Sequence, residues 1–154
     1  MINVYFTYVL TGIISGILST SIMLLFEIPF YRYWGIRGVY ELHESEMMIC
    51  KLLKRTFQNK ISTLGIIIHI INGSLLAIPF VVFMSVLNII PTVLIGISYA
   101  VFIWFVTLLP VHKIITGESI QENPYGYKPA LVSIFGHFVY GIVLYYSYIT
   151  IGGI

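Results

Sequence analysis

The sequence predicts an all-α integral membrane protein, a four-transmembrane-helix bundle with one amphipathic surface helix between the first two spans. Three observations predict it. Hydrophobic residues make up 58% of the 154 residues and charged residues 9%, against roughly 25% charge in soluble domains. Mean hydropathy is +0.96. Long apolar runs recur along the chain, and every charge but Glu27, at the end of the first run, lies in the segments between them. The whole of 1–154 is accordingly read as a single membrane domain.

The first run, about 4–30, exceeds the roughly 20 residues that cross a bilayer. Thr11, Gly12, Ser15, Gly16, Ser19 and Thr20 give it a small-residue side of the kind that lets membrane helices approach closely. Pro29 is expected to end it, and Tyr31, Arg32, Tyr33 and Trp34 suit a headgroup interface. A helix over about 40–57 follows. Its glutamates come first and Lys51, Lys54 and Arg55 come last, matching the helix dipole. It is expected to lie at the membrane surface with a solvated acidic first turn.

The second span, about 61–87, contains Pro79, and the third, about 92–111, leaves near Pro110 and His112. Residues 122–129 read as consecutive turns, and the fourth span covers about 130–150. The sequence lacks a basic leader region and a small-residue cleavage site at its start, so the first span is expected to be retained.

Four spans place segments 31–60 and 112–129 on one side, and these hold all eight Lys and Arg. The positive-inside tendency then makes that side cytoplasmic and both termini external, in a multi-pass protein of the cytoplasmic membrane. The net charge of +2 is explained by topology, and no nucleic-acid partner is expected. The expected partners are the lipid bilayer and either other membrane subunits or a second copy of the chain.

Two helical stripes carry the chemistry. Gly65, His69, Asn72 and Gly73 share one face, as do Ser133, His137, Tyr140 and Gly141. The two spans run in the same direction, with His69 and His137 at similar depth. An ionisable residue inside a membrane helix is a candidate site, because a polar group in hydrocarbon must find a partner. A haem b or a metal ion between His69 and His137 is one reading. Close helix packing, with the histidines hydrogen-bonded to Asn72, Tyr140 or a carbonyl, is the plainer one. Gly12, Gly16, Gly65, Gly73, Gly96 and Gly141 are the candidate packing positions.

Glu27, His43, Glu46 and His112 are further candidates for a metal. Glu27 and His112 stand at the ends of spans one and three, where Glu27 is expected to pair with Arg32, Lys113 or His112. His43, Glu46 and Cys50 share a face. The chain contains no His-Glu-x-x-His, P-loop, dinucleotide signature or Gly-x-Ser-x-Gly elbow, and it has no aspartate. No catalytic residue is therefore assigned. The expected function is that of a non-catalytic accessory subunit of a larger membrane complex, such as a respiratory or monooxygenase-type oxidoreductase. The alternatives are a bis-histidine redox subunit and a small oligomeric transporter or channel whose histidines and Asn72 line a polar path.

Overall fold

A computed structural model describes residues 2–152; Gly153, expected to follow the last span, lies outside them. The described residues form helices α1 (Ile2–Trp34), α2 (Tyr40–Leu52), α3 (Thr63–Val86), α4 (Val93–Val106), α5 (His112–Thr116) and α6 (Lys128–Ile151), with no strand among them. Three of these, α1, α3 and α6, are long and apolar enough to cross a membrane, and α4 is a shorter apolar helix.

Local chemistry sets the boundaries. Pro29 does not end α1. The helix runs on to Trp34, because the missing N–H at Pro29 removes only the bond to the Leu25 carbonyl. Termination comes at Gly35, whose φ of 69° glycine adopts without a Cβ penalty. The second helix stops at Leu52, short of the expected Phe57. Lys54 takes the left-handed conformation, and Arg55 N–H bonds the Cys50 carbonyl at 2.9 Å, a Schellman-type closure. Ser62 caps α3 by accepting from Gly65 N–H at 3.0 Å. Helix α4 passes through a π turn, Thr107–Val111, directly into α5. Pro110 lies inside that wider turn, and Gly117, at φ 80°, closes α5.

Helix α1 is the middle of the bundle, packed against both α3 and α6, while α4 packs along α6. Helices α3 and α4 are consecutive in sequence but scarcely approach each other along their lengths. The lateral order is therefore α3, α1, α6, α4, an open C whose gap lies between α3 and α4. Small residues set the seams. A Cβ on Gly12 would stand 2.8 Å from the Ile78 Cα, and one on Gly16 would stand 2.5 Å from the Ser74 Cα. Gly73 sits against Thr20, and Gly96 and Gly141 lie against each other's backbone. Gly65 is different: its neighbours are Glu46 and Ile61, at the start of α3.

Part of the gap is filled by Ala77, Phe80, Val81, Ile103, Leu144 and Tyr148, all buried. Tyr140 Oη donates to the Gly73 carbonyl at 2.7 Å, and Tyr148 Oη meets Ser85 Oγ at 3.1 Å. These two ties hold α3 and α6 in parallel register, with His69 and His137 at one level. The two charged segments meet at one end of the bundle. Arg37 pairs with Glu118 at 2.8 Å, Asn123 Nδ2 donates to the Arg37 carbonyl at 2.9 Å, and Trp34 stacks on Tyr125.

Helix α2 does not lie free on a surface. Its Tyr40, Leu42, His43, Ser45, Glu46 and Ile49 are buried, because the helix is tucked under the charged end against α3, α5 and α6.

Candidate functional site

The acidic half of α2 points into the bundle, so the expected solvated first turn is replaced by a buried one. Each glutamate there finds a different partner. Glu41 Oε1 accepts a very short hydrogen bond from Ser133 Oγ of α6 and lies 3.5 Å from His137 Nδ1. Glu44 Oε1 meets His112 Nδ1 of α5 at 2.8 Å. Glu46 Oε2 accepts from Ser62 N–H at 2.7 Å and from Ser62 Oγ at 2.8 Å, fastening α2 to the cap of α3.

Glu27 completes the group from α1. It is 0% exposed, and no N–H or hydroxyl group donates to either carboxyl oxygen. Its side chain faces the Glu41 carboxyl, so a proton on one can bridge the pair, and Glu41 Oε2 likewise has no N–H or hydroxyl donor. His69 Nε2 is 4.0 Å from Glu27 Oε2, beyond hydrogen-bond distance, and is unpartnered too. Gly136 makes room for this side chain: a Cβ there would stand 2.9 Å from Glu27 Oε1. The expected pairing of Glu27 with Arg32, Lys113 or His112 is thus replaced by contact with Glu41 and His69. Its position on α1 turns it inward, away from the headgroup layer.

Of the partners expected for the histidines, only a carbonyl is found, and it lies on His137's own helix instead of across the interface. Tyr140 bonds the Gly73 carbonyl, and Asn72 Nδ2 reaches Met48 Sδ at 3.7 Å, so neither bonds a histidine. His137 Nδ1 bonds the Ser133 carbonyl at 2.9 Å. A carbonyl only accepts, so Nδ1 is the donor in this bond. His69 and His137 line one cavity of about 410 Å³ together with Glu41 and Glu44. Thr20, Asn72, Gly73 and Tyr140 also contribute to its wall.

The remaining candidates are dispersed. His43 is buried with its ring near Phe57 and His112, at 5.2 and 5.8 Å. Burial pushes its pKa down to about 4, and His112 and Arg37 add to the shift. For Glu44, burial raises the carboxyl above its ordinary value, offset in part by the hydrogen bond from His112. Among the described residues no three His, Cys, Asp or Glu side chains are grouped to hold a metal ion. Glu27, His43, Glu46 and His112 each serve separate contacts.

Sequence reasoning placed Ser133 in the His137 stripe but did not assign Glu41 and Glu44 to the site. A signal for these two was present. Glu41, Glu44 and Glu46 are followed four residues later by Ser45, Met48 and Cys50, none of them basic, so no basic residue one turn on pairs these acids.

Chemically, the arrangement sets two buried carboxyls side by side, with an imidazole against each. Such a pair can share, release and take up a proton. Comparison with known proteins yields no match to a family model, to a curated protein or to a solved structure.

Proposed function

We propose that this protein is a small membrane transporter that binds and moves protons and cations through the Glu27, Glu41, His69 and His137 site. In this reading α4 and α5 form a fourth span. Their continuous path from Val93 to Thr116 is about 36 Å at 1.5 Å per residue, enough to cross the hydrocarbon. The charged end is cytoplasmic and both termini are external, as the one-sided Lys and Arg suggest.

The observation that carries the reading is Glu27, a fully buried carboxyl set against a second carboxyl, Glu41, with no basic side chain or hydroxyl bonded to it, inside an apolar bundle. An ionisable group so placed is costly to bury, and intramembrane carboxyls and histidines characteristically mark ion or proton pathways. The seams that would support an accessory role in a larger complex, at Gly12, Gly16, Gly73, Gly96 and Gly141, face inward. That role draws no support from them.

Reconstitution into liposomes loaded with a pH-sensitive dye tests the proposal. Under an imposed potential the wild type is expected to carry protons, and Glu27→Gln is expected to fall to the rate of protein-free liposomes. A wild type no faster than protein-free liposomes, or a Glu27→Gln variant as fast as wild type, overturns it.

A further inference from the structure

We propose that the cavity takes a lipophilic organic ammonium ion, admitted sideways from the bilayer between α3 and α4. The inference rests on the transport reading above and names the substrate class of the same site.

The charge of the cavity selects the head group. Glu41 and Glu44 line it and Glu27 faces Glu41, while no Lys or Arg contributes to the wall. Glu27 Oε1 and Oε2 and Glu41 Oε2 are buried behind the wall, where the two carboxyls face each other, so the wall itself offers the acids Glu41 and Glu44 and no cation. An N–H-bearing cation docked there supplies both a donor and the opposite charge. An anionic head would add charge of the same sign to a site already rich in it. A bare metal ion would need several converging ligands, and the described residues group no three.

The walls select the body. Met23, Met48, Leu76, Ile103, Val106 and Ile115 make most of the lining apolar, which suits a hydrocarbon moiety. A volume of about 410 Å³ falls at the lower end of the roughly 300–1,000 Å³ of small-molecule sites.

The route follows from the open C. Tyr99 of α4 ties the two helices by donating from Oη to the Leu76 carbonyl at 2.5 Å, with its ring 5.2 Å from Phe80. Beside that tie the cavity lies between Leu75 and Leu76 on α3 and Ile103 and Val106 on α4. Leu75 is 58% exposed and Val106 44% exposed, so this rim faces outward from the bundle.

Binding is coupled to a proton. As the ammonium ion docks, the proton shared by Glu27 and Glu41 leaves, so one positive charge replaces another. The groups facing this pair are Glu44 on α2, His69 on α3, and Ser133 and His137 on α6, with His112 of α5 behind Glu44.

The test uses the full chain in phosphatidylcholine nanodiscs, with decylammonium as the probe and decanoate and decanol as controls. Saturable decylammonium binding is expected, with proton release into a weakly buffered medium and no saturable binding of either control. Glu41→Gln is expected to abolish both binding and proton release. Leu75→Trp, at the exposed rim, is expected to slow association while leaving the circular dichroism unchanged. Binding no greater than to empty nanodiscs, equal binding of decanoate or decanol, or undiminished binding by Glu41→Gln overturns the proposal. An unchanged association rate in Leu75→Trp overturns the sideways route. The control ligands test the wild type alone, so a poorly folding variant leaves the proposal exposed to refutation. Proton flux without amine binding overturns the substrate class and leaves transport standing. Amine binding without flux in liposomes does the reverse.

Discussion

Thr20 donates from Oγ1 to the Gly16 carbonyl at 2.8 Å and so turns its side chain into the space that a Cβ on Gly73 would occupy. Gly73→Ala should therefore destabilise by about 1–3 kcal/mol through overpacking. Thermal melts in mild detergent check this, and adding Thr20→Ala should recover part of the loss. His43 gives a prediction in pH. Above pH 6.5 it is neutral in both folded and unfolded chains. As pH falls from 6.5 towards about 4, the unfolded chain takes up a proton that the folded chain refuses, so stability falls. Glu44, raised by burial, acts in the opposite sense, its contribution being lost as pH rises through its folded value. Comparing wild type with His43→Phe isolates the histidine: the variant should lose less stability between pH 7 and pH 5. The stripes bearing His69 and His137 were legible from 3.6-residue spacing. Their partners were not, because spacing along one helix says nothing about which side chain a second helix delivers. Glu27 shows the same limit: its place near a span end suggests the headgroup layer, and only its rotation about α1 turns it inward.

Among the elements, α2 depends most on contacts far away in sequence. It is fixed to the cap of α3 through Glu46 and Ser62, to α5 through Glu44 and His112, and again by Lys51 Nζ donating to the Ile114 carbonyl at 3.1 Å. Glu46→Ala leaves Ser62 N–H without its acceptor and is expected to cost about 1–3 kcal/mol. Hydrogen exchange should quicken in residues 40–52 and at the start of α3. If protection there is unchanged, the cap does not hold the helix. The long apolar helices were readable from hydropathy, with ends within a few residues of those observed. Pro29 misled, since a single proline near a helix end removes one bond without stopping the turn. The orientation of α2 was hidden because its buried face carries acids, which composition assigns to water. Only the absence of basic residues four positions on hinted otherwise.

At the scale of the molecule, the order α3, α1, α6, α4 separates two neighbours in sequence and leaves a cavity between them. Sequence alone favours adjacency of consecutive spans. The close glycine seams of α1 with α3, and of α4 with α6, set the order here instead. The proposed topology is checked by cysteine labelling in a Cys50→Ser background. Gln58→Cys and Gln121→Cys should react from the same side of sealed vesicles, and Asn88→Cys from the other. Labelling of positions 58 and 121 from opposite sides would refute four spans. The π turn at Thr107–Val111 adds a property of its own. An extra residue in a helical turn rotates everything beyond it by about 100° without breaking the rod. One side of α4 faces the cavity and His112 faces Glu44, and these two directions are reconciled within one continuous helix.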